Sequence, residues 1–438
     1  MKDNKLNNFI IFWMSQSISQ LGSGMTSFAL IIWIYKQTNS AMSVSLMTFF
    51  LYLPYIVISI FAGAFIDSHK KKNIMLWSDS IAAICSLGVL ILLLSGELKF
   101  GHIYLVNVVI GFMNAFQSPA ETVAIGIIVP KESYAKANGM RSFSDSLLMV
   151  ISPMMAGFIS SFFGLKGVIL IDLITFIFAF VVLLHFVSIP EELEKVQEKH
   201  NNIFHGWKEG MVFLSNHKGI MYLIISMAFM NFFSRLTYEN ILSPMILARS
   251  GGNDTIFGIV NGIIGVGGII GGLIVSFKSI TKNNLKLIYY SAAISFLFGD
   301  LLMGIGRSGL SWSIAAFAAS MPIPFIGVGQ NLILYNSIPR QMQGRVFAVR
   351  NAVQYCAIPA GILLGGFLAD YVFEPFMNSN NALALFLQKI VGSGAGSGMA
   401  VMFLCTGTLG FLTCVLWYSN KNIKNLESNS KVNDIYDL

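Results

Sequence analysis

Glu121 and Asp145 are carboxylates set inside long apolar runs, each several residues from the short polar stretch between those runs. If the two runs are consecutive antiparallel helices, both carboxylates lie at a similar depth and can approach one another. Two close carboxylates in a low dielectric resist being charged together, which suits reversible protonation. The same positions also suit hydrogen bonds to a neighbouring helix, with Asp145 at the interface. Arg235 and Glu239 are four residues apart, share a helix face and can neutralise each other; a cavity or gating pair and a structural ion pair both fit. Asp172 and Asp300 are further acids within apolar runs, as suited to helix packing as to function. Gln16, Gln20 and Ser23 recur at helical spacing, a polar stripe that must face inward if the rest of the helix meets lipid. Asn231, Asn261, Gln330, Asn331, Asn351 and Gln354 can supply matching groups from later runs, or hydrogen-bond between helices.

Other chemistry has no foothold. There is no Cys/His cluster, nucleophile elbow or Walker sequence, so no metal or cofactor is expected and an ATP-driven pump or metalloenzyme is excluded. The four cysteines, Cys85, Cys356, Cys405 and Cys414, lie in apolar stretches without metal-ligand spacing and read as free thiols. The glycines from Gly392 to Gly398 follow no strand and lead to no Lys-Ser/Thr pair. They read as a packed or flexible loop, not a phosphate cradle.

The elements that must position these groups follow from composition. The chain has 438 residues, 55% hydrophobic and 11% charged, with mean hydropathy +0.69. That is less than half the roughly 25% charge of soluble domains. Apolar runs long enough to cross about 30 Å of hydrocarbon as helix recur throughout. They fall at about 8–35, 42–66, 74–95, 102–128, 142–163, 167–188, 219–247, 255–277, 285–305, 310–335, 347–371 and 399–419. The first is too long for a signal peptide's apolar core. The fold class is therefore all-α and integral to a membrane, with twelve transmembrane helices in two six-helix repeats. The expected domains are 1–188, a cytoplasmic linker 189–218, 219–419 and a cytoplasmic tail 420–438. Trp207, Met211 and Leu214 make the linker amphipathic, suited to lying on the inner leaflet. The 36 Phe and 22 Met suit lipid contact and packing, or a cavity for varied apolar molecules.

Of the 28 Lys and Arg, 21 fall on one set of loops and six on the other, with Arg235 alone inside a run. This asymmetry places both termini in the cytoplasm. It also explains the net charge of +7 without nucleic acid.

The halves repeat. Pro130, Lys131, Lys136 and Arg141 correspond to Pro339, Arg340, Arg345 and Arg350, each 209 residues later. Gly63, Asp67 and Lys70 correspond to Gly271, Val275 and Lys278, each 208 later. Two echoes at nearly one offset indicate internal duplication.

Gly63-Ala-Phe-Ile-Asp67-Ser-His-Lys70-Lys71-Lys72 resembles the signature that follows the second helix in the major facilitator superfamily. There it acts as a latch between the halves. Val275 replaces the aspartate in the second copy, so only the first loop is expected to latch. The chain is similar along nearly its whole length to the macrolide-efflux family of drug exporters. The likeness is carried by Thr38-Asn-Ser-Ala-Met42, Phe116-Gln-Ser-Pro119-Ala120, Ser152-Pro153, Ile171-Asp172 and Gly344-Arg345-Val346-Phe347. The resemblance implies a monomeric exporter of the bacterial inner membrane, resetting by proton antiport and taking a small amphipathic substrate, macrolide-like or an endogenous metabolite such as a siderophore or peptide. Its partners would be that substrate, protons and membrane lipid. Many exporters of the superfamily have an arginine ahead of a glycine in the fourth helix; here that stretch reads Val109-Ile110-Gly111-Phe112. The fifth helix has Ser152-Pro153 where Gly-Pro is usual.

Overall fold

A computed structural model describes residues 2–130, 133–189, 203–277 and 283–426. Among the described residues every regular element is helical. This is what a chain in lipid requires, because a helix satisfies its backbone groups within one segment.

The chain forms two compact units, Met1–Lys199 with Gly251–Gly262, and His200–Ser250 with Ile263–Leu438. The first contains α1 (Lys2–Thr38), α2 (Ala41–Ser68), α3 (Lys71–Leu94), α4 (Phe100–Ile128) and α5 (Tyr134–His185). The second contains α6 (Ile203–Asn216), α7 (Lys218–Thr237) and α8 (Leu242–Arg249). α9 (Asp254–Phe277) begins in the first unit and ends in the second. The second unit continues with α10 (Asn284–Ile294), the π-helical turn Ser295–Asp300, α11 (Leu301–Ile305), α12 (Gly309–Ser320) and α13 (Ile323–Ser337). It ends with α14 (Arg340–Leu368), a second π-helical turn Ala369–Phe373, α15 (Glu374–Met377), α16 (Ala382–Val391) and α17 (Ser397–Tyr418).

Eleven of the described helical stretches are long and apolar enough to cross a membrane, against twelve expected. The difference is α5, a run of 52 residues holding both the fifth and sixth expected spans. Gly164 interrupts it at φ 62° and ψ −170°. A Cβ there would meet nothing within 4 Å, so conformation and not space calls for glycine. Later spans are less regular than apolar length suggests. The seventh is α7 and α8 around a turn, the tenth breaks at Met321-Pro322, and the ninth and eleventh carry π-helical turns.

In the first unit α1 packs on α5, and α4 on α2 and α3. Its core includes Phe9, Phe12, Ile66, Met75, Ile128 and Leu183. In the second, α14 packs on α7 and α10 on α13, around Leu223, Ile224, Tyr289, Leu334 and Val346. Trp77, Phe163, Leu310 and Leu416 stay more than two-thirds exposed, as side chains bathed in lipid can.

One expectation changes, and of the two readings of the glycine-rich loop the packed one holds at its end. The apolar stripe of the linker helix α6 does not lie free for a leaflet. Leu214 is fully buried in the second unit's core and Met211 packs against it, leaving only Trp207 exposed. The glycine-rich loop is close-packed at its end, because a Cβ on Gly398 would run into the backbone of Phe373 and Glu374.

Close approach of helices is the main reason several spans need glycine. A Cβ at Gly111 of α4 would overlap the carbonyl of Leu51 in α2, whereas one at Gly88 of α3 meets nothing within 4 Å. Gly111→Val should therefore destabilise the detergent-solubilised protein by about 1–3 kcal/mol, seen as a lower melting temperature, while Gly88→Ala leaves it unchanged. Equal melting temperatures for the two variants would contradict this packing.

Candidate functional site

The polar groups of the first unit gather where α3, α4 and α5 meet. Gln117 and Glu121 are four apart on α4, so they share a face; Arg141 and Asp145 do the same on α5. Gln117 Nε2 donates to Asp79 Oδ1 of α3. Glu121 stands within electrostatic reach of Asp79, and of Arg141 and Asp145, with Arg141 the stronger influence of the two on α5. Arg141 Nη1 donates to Thr122 Oγ1 at 3.0 Å. Glu121 lies seven residues from the end of α4, about 10 Å along the axis. Glu121 thus stands between Asp79 and Asp145 with the Arg141 guanidinium beside it; Asp145 is itself exposed, and a charge within hydrocarbon is costly. Such a group can exchange protons or hold a cationic ligand.

Sequence reasoning brought Glu121 and Asp145 together, and the structure does too. It missed Asp79, although an acid within the third apolar run carries the signal that found the others. It also read Arg141 as a loop charge and a repeat marker, whereas Arg141 sits against α4.

The α1 stripe divides. Gln16 is buried, with its amide nitrogen lacking a hydrogen-bond partner, and Gln20 is half-buried. Ser23 instead donates to Asp172 Oδ1 at 3.0 Å, while Ser86 of α3 donates to Oδ2 at 3.1 Å. Asp172, 4% exposed, is therefore a hydrogen-bond hub joining α1, α3 and α5. Gly22 makes the hub possible, because a Cβ there would come 2.9 Å from Asp172 Cα. Asp300 plays a similar part in the second unit, accepting from Thr406 Oγ1 at 2.8 Å.

In the second unit Arg235 and Glu239 form the expected ion pair within one helical turn, both half-buried. Gln330 and Gln354 have amide nitrogens without hydrogen-bond partners, and Gln354 is buried. Arg345 and Arg350, expected in a loop, both lie within α14, and Arg350 Nη1 donates to Asn331 Oδ1 at 3.2 Å. Arg350 also donates to Asn351 and lies 5.1 Å from the Phe347 ring. Thr122 and Asn331 are 209 residues apart, as are Arg141 and Arg350. The duplication read in the sequence thus recurs as one contact made in each unit. Arg345 pairs with Glu209 of α6.

Part of the basic cluster after α2 is engaged within the first unit. Lys72 Nζ donates to the carbonyls of Leu184 and Val187 at 3.0 and 2.8 Å, stabilising the negative end of α5. Lys71 is buried and Lys70 exposed. The surroundings of Gly63 and Asp67 lie outside the described residues.

A further pair was not singled out in the sequence. Lys36 Nζ, at the end of α1, lies 2.6 Å from Asp254 Oδ1, the first residue of α9. Ser160 Oγ of α5 donates to Oδ2 at 3.3 Å. Phe28 and Phe257 stack at 4.4 Å, and a Cβ at Gly157 would come 3.2 Å from Gly258 Cα. The start of α9 is thus fastened to α1 and α5 by a charge pair, a ring stack and a glycine contact.

The sequence profile of the Major Facilitator Superfamily matches residues 12–362. The chain belongs to that superfamily. It is therefore a multi-pass membrane transport protein. Macrolide efflux protein A of Streptococcus pyogenes is 27% identical over 378 residues, covering 84% of this chain and 92% of that protein. Its counterpart from Enterococcus faecalis is 27% identical over 330 residues, covering 74% of this chain and 100% of the other. The fold is similar to the crystal structure of a bacterial homologue of the iron transporter ferroportin in an inward-facing state. The TM-score is 0.68 at 14% identity, with 95% and 99% of the two chains covered. A bacterial homologue of the lysosomal transporter Spinster gives a TM-score of 0.67 at 14% identity, covering 99% of each chain.

In a superfamily transporter built this way, the Lys36–Asp254 pair should behave as a coupled unit. Asp254 is 6% exposed and Lys36 43%. Lys36→Met strands a buried carboxylate and should cost about 1–3 kcal/mol. Lys36→Met with Asp254→Asn should recover most of that loss. Melting temperatures of the single and double variants measure it; equal values would show that the pair is not coupled.

Proposed function

We propose that this chain is a secondary active efflux transporter of amphipathic, macrolide-like drugs, working by alternating access with proton antiport. The observation that carries the substrate class is the 27% identity to the two macrolide efflux proteins across most of their lengths. Coupling is supported by the Asp79, Gln117, Glu121, Arg141 and Asp145 group within one helical bundle. A site with more carboxylates than cations can take up a proton when empty and yield it when a cationic amphiphile or a conformational change alters its field. The superfamily's fourth-helix arginine is absent here, and Arg141 offers a positive charge to Glu121 from α5 instead.

In this reading the two six-helix halves, 1–188 and 219–419, are joined by the linker 189–218. The protein acts as a monomer in the bacterial inner membrane with both termini cytoplasmic, as the uneven Lys and Arg distribution indicates. Gln16, Gln20, Gln330 and Gln354 supply polar contacts to substrate. Two of them, Gln16 and Gln354, are buried with amide nitrogens left unpaired. Substrate, protons and lipid are the partners, and nucleic acid is not.

Efflux of a labelled macrolide from cells expressing the protein, with and without a protonophore, tests this function. Protonophore-sensitive efflux is expected, and Glu121→Gln should abolish it at undiminished membrane level. Proton-dependent efflux unchanged in Glu121→Gln would remove Glu121 from the coupling site. No macrolide efflux by the wild type would overturn the drug assignment in favour of an endogenous metabolite.

A further inference from the structure

The second repeat keeps the basic residues of the first but not its acid. Arg340, Arg345 and Arg350 stand 209 residues after Lys131, Lys136 and Arg141, while Val275 stands where Asp67 has its counterpart. Arg350 has partners in Asn331, Asn351 and the Phe347 ring. Arg345 has no acid within its own repeat at the matching place. Its ion-pair partner is Glu209, which comes from the linker helix α6.

α6 is seated to make this pair. A Cβ at Gly210 would come 2.8 Å from the Arg345 carbonyl oxygen and 2.9 Å from Val349 Cγ2. Only glycine lets the α6 backbone lie against the first turns of α14. Leu214, one helical turn on, is fully buried beside Ile220 and Val346, with Met211 and Phe213 packed against the same core. The apolar residues fix the helix, the glycine sets its distance, and Glu209 meets Arg345 of α14 at its rim.

The pair is not a stability device. Arg345 and Glu209 are 48% and 34% exposed, and exposed pairs contribute little to folding. What it does is join the linker helix to the first turns of α14.

We propose that Glu209 is a positioning residue that ties the linker to Arg345, making α6 a strap that travels with the second unit and holds the start of α14. This rests on the reading of the chain as an alternating-access transporter. The linker is then part of the moving body and not a slack tether.

Docking and transport are read separately. Endoproteinase Lys-C cleavage at Lys208, in membranes and without substrate, reports whether α6 is seated. Glu209→Arg places two like charges together and should speed that cleavage about fivefold, the population change that about 1 kcal/mol produces. It should also lower turnover while leaving KM unchanged. Glu209→Arg with Arg345→Glu should restore both readouts, and Glu209→Asp should retain them. Wild-type cleavage and transport in Glu209→Arg, or no recovery in the charge swap, would overturn the proposal. If the wild type moves no macrolide, the substrate reading fails alone, and the cleavage rates of the single and swapped variants still decide the strap.

Discussion

A charge inside hydrocarbon has no water to turn to, and the arrangement of this protein follows from that constraint. Several of the described ionisable groups within spans are met by partners. Asp172 is met by serines from two other helices, and Asp300 by Thr406. Arg235 is met by Glu239 one turn away, and Asp254 by Lys36. The α3–α4–α5 group differs in kind, because among the described residues its carboxylates outnumber its arginine. A structural network tends toward neutrality, and a group left unbalanced within the bundle is suited to a changing charge state.

The same constraint explains why so much of the fold was legible in the sequence. Backbone groups in lipid must be paired within a helix, so apolar length alone located the spans, and the echoes at 208 and 209 residues exposed the duplication. The Arg141–Thr122 and Arg350–Asn331 contacts show that duplication in three dimensions. What apolar length does not encode is where a helix bends. The glycine at 164 and the π-helical turns change direction without changing hydropathy, so α5 reads as two spans in sequence and one broken helix in space.

The site was legible only in part, for a related reason. An acid in an apolar run announces itself, as Glu121 and Asp145 did. Asp79 gave the same signal and was passed over, lying eight residues into its helix. Partners that look like topology give no signal of their own. Arg141 and Lys36 read as loop charges in a positive-inside count, yet each reaches into a helix contact. The linker is the converse case. Its amphipathic pattern suits a leaflet as well as a protein groove, and only packing of Leu214 and Gly210 shows which surface it meets.

Whether the unbalanced group trades protons for substrate is the central claim, and it can be read without a membrane. Purified protein in weakly buffered detergent solution, mixed with a macrolide in the presence of a pH indicator, should release protons in proportion to the bound drug, and Glu121→Gln should release fewer. Saturating macrolide binding with no proton release from the wild type across the neutral pH range would contradict drug–proton exchange at this group.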